Sequence, residues 1–124
     1  MKKKEFKEHL LNLLSEEVEG MSINEKLNYI KNILLKYEID NTDFDLKNKG
    51  KSWTDDELRL ILKLSPTKEN ILYLAKAFKR GYGSIEQIYR WAAEDQKIIN
   101  EKRPNDKFIQ QIKKIAKEVG WRAT

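Results

Sequence analysis

From Trp53 to Ala93 the chain reads WTDDELRLILKLSPTKENILYLAKAFKRGYGSIEQIYRWAA, three segments of helical periodicity separated by two tight connections. Thr54 and Glu57 have the T-x-x-E spacing of a capping box, which predicts a helix from Asp55, with Trp53 positioned to pack on Leu58. Leu58, Ile61 and Leu62 form its apolar stripe, widened by Leu60 and Leu64. Ser65-Pro66-Thr67 stops that helix, and Thr67 or Ser65 caps the next, because a short hydroxyl accepts from an orphan backbone N–H. Ile71, Leu74, Ala75 and Phe78 then fall at i, i+3, i+4 and i+7, the spacing of one buried face. Gly81 and Gly83 suit a sharp turn, since glycine enters positive φ freely. Ser84 is the expected cap of a third helix. Ile85, Ile88 and Ala92 point inward on it, Trp91 and Tyr89 sit at the two edges, and Glu86, Gln87, Arg90 and Glu94 point away.

Three short helices with a turn before the third match a helix-turn-helix. The same residues resemble a Myb/SANT-like repeat of bacterial or phage type. Trp53 followed by Asp55-Asp56-Glu57 corresponds to the start of that repeat. Ile71 through Phe78 corresponds to its middle, with Ile71 in place of the second tryptophan, and Arg90-Trp91 to its end. The resemblance covers about a third of the chain. It implies a three-helix bundle whose third helix binds either DNA or protein tails, with Trp53 and Trp91 in the core.

The charge distribution favours a polyanionic partner. The net charge of +5 is uneven: residues 1–46 hold 7 Lys and 10 Asp or Glu, whereas residues 47–124 hold 18 Lys or Arg and 10 Asp or Glu. All arginines lie in the second part. A basic half beside an acidic half is expected where the basic half meets phosphate, against the blander reading of a lysine-rich solvated surface. The absence of cysteine excludes disulfides and cysteine-based metal sites. An intracellular, cytoplasmic setting is compatible with that composition. No run approaches the ~20 apolar residues that cross a membrane, and the lysine-rich start lacks the uninterrupted apolar stretch of a signal peptide. The abundance of Lys, Asn and Ile is associated with an AT-rich bacterial or phage genome.

Ahead of the central stretch, Phe6, Leu10, Leu13, Leu14 and Val18 predict a helix from Lys3 to Glu19, with Gly20 as its stop. Ser22 and Glu25 form a second capping box, and Ile23, Leu27, Ile30, Ile33, Leu34 and Tyr37 make the broad apolar face of the helix that follows. A short connection between two helices predicts an antiparallel hairpin over residues 1–38. Two helices alone bury little surface, so this pair is expected to dock within the chain, to form a homodimer, or to meet another protein. Residues 39–52, rich in Asn, Asp, Lys and Gly, read as a linker, with Phe44 and Leu46 as points of attachment. After residues 53–93, a segment over 94–124 continues the third helix through Ile98 and Ile99. It then builds a last helix capped by Asn105, with Phe108, Ile112, Ile115, Ala116 and Val119 inward. Gly120 ends it and Trp121 folds back. Lys113, Lys114, Lys117 and Arg122 remain for solvent or phosphate. The expected architecture is all-α, with five or six helices and no sheet: a central Myb-like three-helix bundle, an N-terminal helical hairpin and a C-terminal helix.

Candidate DNA contacts cluster on and before the third helix. In a helix-turn-helix this element enters the major groove and residues near its start reach the bases. Gln87 can bond adenine through its amide, and Arg90 can bond guanine or grip a phosphate. Glu86 can accept from cytosine or hold an arginine. Ser84 and the N–H groups behind it suit a phosphate, and Lys79, Arg80 and Tyr82 are placed to clamp the backbone. Against this stands an ordinary solvated face of mixed charge, where Glu86 and Glu94 repel phosphate.

No pattern points to catalysis. His9 is the only histidine and has no second ligand type beside it to complete a zinc site. Asp40, Asp43 and Asp45 lack the glycine and terminal glutamate of a calcium loop. Gly81-Tyr82-Gly83 is too short for a dinucleotide fingerprint, and no P-loop is present. The expected function is non-catalytic double-stranded DNA binding without a cofactor or metal, in a small regulator or DNA-targeting accessory protein. The alternatives are a SANT-like protein-interaction adaptor and the DNA-targeting module of a nuclease or packaging complex.

Overall fold

A computed structural model describes residues 1–122; the last two positions of the expected 94–124 segment lie outside the described residues. Among the described residues there are seven α-helices and no strand. The chain divides into two compact units, Met1–Glu38 and the residues from Ile39 onward.

The first unit contains α1 (Lys3–Ser15) and most of α2 (Ile23–Asn41). α1 stops four residues before the predicted Glu19. Its orphan C-terminal carbonyls are taken by Lys26, whose Nζ donates to Leu14 O and Glu16 O at 2.5 and 2.9 Å. Ser22 Oγ accepts from Glu25 N, so the predicted hydroxyl cap of α2 is present. Neither helix buries a single residue. Amphipathic spacing was enough to form both helices and did not supply them with a core.

The second unit holds α3 (Asp55–Leu62), α4 (Lys68–Phe78), α5 (Tyr82–Ala93), α6 (Gln96–Lys102) and α7 (Lys107–Val119). Both halves of the Thr54–Glu57 capping box are made. Thr67 caps α4 by accepting from Asn70 N. The continuous helix expected through Ile98 and Ile99 is broken instead. Glu94 leaves α5 in an extended conformation, and the side chain of Asp95 accepts from Lys97 N to start α6. This break raises the count from the expected five or six helices to seven. Asp106 replaces Asn105 as the cap of α7, accepting from Ile109 N.

Leu58, Ile61, Leu74, Ile85, Ile88, Ile112 and Ile115 belong to one buried cluster, with Trp53, Phe78 and Trp91 packed against it. α7 is part of this bundle and not an appendage. It packs against α3 and α5, while α4 packs against α5. Gln111 on α7 donates to Trp53 O and Asp55 Oδ1 at the start of α3. Arg59 on α3 meets Glu118 on α7 at 2.5 Å. That hydrogen bond holds the Glu118 carboxyl below its usual range and pushes the Arg59 guanidinium further up. α7 closes on Gly120 at φ 69°, and Trp121 N returns to Ala116 O, the reversal predicted for that glycine. Trp121 then stacks near Tyr89.

The stretch read as a linker, residues 39–52, is fastened to this unit. Phe44 packs against its core. Asn48 donates from its side chain to Phe78 O and from its backbone to Lys79 O, covering the C-terminal carbonyls of α4.

Candidate nucleic-acid interface

α5 is held by one face. Ile85, Ile88, Tyr89 and Ala92 are buried, and they fall at i, i+3, i+4 and i+7. Tyr89, read from sequence as an edge residue, completes that inward row. Its hydroxyl lies within hydrogen-bond distance of Ile61 O in the last turn of α3 and of Leu64 O just past that helix. Burial pushes its pKa up to about 12. The spacing of 85, 88, 89 and 92 carried this signal.

The opposite row of α5 is exposed. Gly83, Ser84, Glu86, Gln87 and Arg90 all face away from the core. Glu86 and Arg90, one turn apart, form an ion pair at 3.3 Å. This pair satisfies the arginine fork in part and reduces the net positive field on the face. Gln87 and Ser84 stand beside it. Tyr82, in the first turn, is half-buried, and its hydroxyl pKa is raised by burial first and by Glu86 second.

The turn before α5 differs from the one expected. Gly81 and Gly83 do not take positive φ; Lys79 does, at φ 56°. Lys79 closes α4 in the left-handed conformation, and Arg80 N reaches back to Ala75 O at 3.0 Å. Gly81, not Ser84, occupies the N-cap, and no side chain caps the first turn of α5. Ser84 sits inside the helix, its N–H bonded to Gly81 O. The three-residue connection Lys79-Arg80-Gly81 therefore gets its bend from a lysine.

Arg80 is the main correction among the expected DNA contacts. It is only 5% exposed. Its guanidinium stacks over Trp53 and donates to Lys51 O and Ser52 O. A side chain used this way is not available to a phosphate. Lys79 remains at the surface, with Asp45 at 3.9 Å. Lys113, read as free for phosphate, instead caps α5: its Nζ donates to Ala92 O and Glu94 O. Lys114, Lys117 and Arg122 are exposed. The structure thus gathers Lys79, Tyr82, Ser84, Glu86, Gln87 and Arg90 on and before α5, and it removes Arg80 from the set.

Comparison with known proteins places the chain in a family. The family described as "Uncharacterised protein PM1205 C-terminal domain" matches residues 47–123. The chain belongs to the PM1205 family. It is similar to "Uncharacterized protein PM1205" of Pasteurella multocida (strain Pm70), at 48% identity over 98% of this chain and 99% of that protein. No solved structure matches it. The PM1205 domain begins at Lys47, just before Asn48 closes α4, and takes in all of α3 to α7. The likeness to the Pasteurella protein extends further, across α1 and α2.

Among the described residues, no group of three or more His, Cys, Asp or Glu is arranged to hold a metal ion. Among the described residues, no helix is long and apolar enough to cross a membrane.

Proposed function

We propose that the protein binds double-stranded DNA without catalysis. In this reading α4 and α5 form a Myb-like helix-turn-helix, and α5 is the element presented to the major groove. One observation carries it: α5 is anchored through Ile85, Ile88, Tyr89 and Ala92, while Ser84, Gln87 and Arg90 stand exposed along its other side. Rigid presentation of a polar helix face three residues after another helix is the geometry by which such motifs reach base edges. The charge of the surrounding sequence supports it, with 18 basic against 10 acidic residues over 47–124. Gln87 is assigned to adenine and Arg90 to guanine or phosphate, because their two-ended groups match those edges. Lys79, Tyr82 and the uncapped first turn of α5 are assigned to the sugar-phosphate backbone.

The Glu86–Arg90 ion pair favours a second reading, that of a SANT-like adaptor binding a protein tail, since a charge-balanced face attracts phosphate less. Polarisation of a labelled random duplex, titrated with the full-length protein at several salt concentrations, decides between them. The DNA reading expects affinity that falls steeply with salt, by a log–log slope of about −0.9 for each phosphate neutralised. Absence of binding at low salt overturns it in favour of the adaptor.

A further inference from the structure

We infer that residues 1–38 form an antiparallel interface with the same residues of a second copy of the chain. The inference rests on α1 and α2 alone and is independent of whether the second unit binds DNA.

The first observation is exposure. Phe6 is 60% exposed, Leu13 70%, Ile23 74% and Leu34 62%, on helices that bury no residue at all. Apolar side chains of this size, in contiguous rows, mark an interaction surface. The second observation is spacing. On α2, Ile23, Leu27, Ile30 and Leu34 recur at intervals of four, three and four residues. On α1, Phe6, Leu10 and Leu13 recur at four and three. Those steps average about 3.5 residues on α1 and about 3.7 on α2, close to the repeat that keeps a seam facing another helix along its length. The occupant is therefore helical.

The third observation, charge, selects the second copy and its direction. Residues 1–38 contain seven Lys and seven Glu, so two copies approach without net repulsion. The charges are unevenly placed. Lys2, Lys3, Lys4 and Lys7 outnumber Glu5 and Glu8 at the start of α1, whereas Glu16, Glu17 and Glu19 lie just past its end. α1 has 13 residues and spans about 20 Å between these clusters. Parallel pairing would oppose lysines to lysines. Antiparallel pairing about a two-fold axis sets the lysines of each copy against the glutamates of the other, twice, as a self-complementary interface requires. Such surface pairs add little affinity, but they set orientation.

Sedimentation velocity of the full-length chain at micromolar concentrations tests this. The wild type is expected at twice its 14.7 kDa mass. The double substitution Leu13→Glu and Leu34→Glu should yield the monomer while leaving the thermal transition of α3 to α7 unchanged, since both positions lie outside that core. Lys4→Glu with Lys7→Glu should weaken the dimer by about tenfold. Adding Glu16→Lys and Glu17→Lys to that variant should restore it. A wild type that remains at 14.7 kDa throughout overturns the inference. So does a dimer insensitive to the leucine substitutions, or a charge reversal that the compensating pair fails to rescue.

Discussion

Arg80 lies with its guanidinium carbon 3.8 Å from the centroid of the Trp53 ring. Phe78 meets the same ring edge-on, with centroids 5.5 Å apart. One tryptophan thus joins the segment before α3 to the end of α4 and the turn that follows it. The guanidinium also reaches Lys51 O at 2.6 Å and Ser52 O at 3.4 Å, so one buried cation fixes a stretch of irregular backbone. Its Nε has no hydrogen-bond partner.

Arg80→Ala is therefore expected to act on stability and not on salt dependence. Losing charged hydrogen bonds to part-buried carbonyls costs about 1.5–3 kcal/mol. Arg80→Lys should recover little of it, because an ammonium lacks the planar fork that stacks and bonds at once. Denaturant unfolding of both variants measures this. If instead Arg80→Ala leaves the midpoint unchanged and flattens the salt dependence of DNA binding, the side chain belongs to the DNA interface.

Lys79 offers a separation of stability from binding. Its φ of 56° is a left-handed conformation that costs a residue with a Cβ about 1–2 kcal/mol. Lys79→Gly should raise the melting temperature, with part of the gain offset by the greater entropy of glycine in the unfolded chain. The same change removes a cation beside α5 and should weaken duplex binding uniformly across sequences. A variant that is both less stable and unchanged in binding would contradict both assignments.

Tyr89 predicts a response to alkali. Its folded pKa of about 12 lies above the ordinary value of 10, so the unfolded chain releases the phenolic proton first. The resulting stabilisation is complete below pH 10 and is lost as pH rises from 10 towards 12. Tyr89→Phe should flatten that decline, leaving the smaller contribution of Tyr82, whose pKa is raised as well. It should also cost about 1 kcal/mol at neutral pH, since the end of α3 loses its hydroxyl donor. Stability followed from pH 8 to about 12 in both proteins gives the comparison.

Periodicity made most of the helices and the apolar core legible in the sequence. Leu58, Ile71, Leu74, Ile85 and Ile88 were all placed inward by spacing alone, and all are buried. Local chemistry also revealed the cap at Thr54, because a capping box involves residues three apart, and narrowed the cap of α4 to Thr67 or Ser65. What stayed hidden were the groups that close helix C-termini from far away. Tyr89 serves α3, Asn48 serves α4, and Lys113 serves α5, each across at least 19 residues of sequence. Nothing local distinguishes such a lysine or asparagine from a solvated one. The same blindness put Arg80 among the surface cations. Its role depends on Trp53 and on two carbonyls that only the folded chain brings to it. For the candidate interface, the exposed row of Ser84, Gln87 and Arg90 was readable as the complement of the buried row. Glu86 was legible as a carboxylate able to hold an arginine, and its partner is Arg90, one turn away.

The central claim, that the exposed row of α5 meets duplex DNA, is tested most directly by amide-resolved NMR of the full-length protein titrated with a short duplex at low salt. The account predicts shift changes concentrated at Lys79, Gly83, Ser84, Gln87 and Arg90, diminishing as salt is raised, with α1 and α2 unaffected. A spectrum that does not change on addition of duplex, or changes confined to residues 1–38, would contradict it.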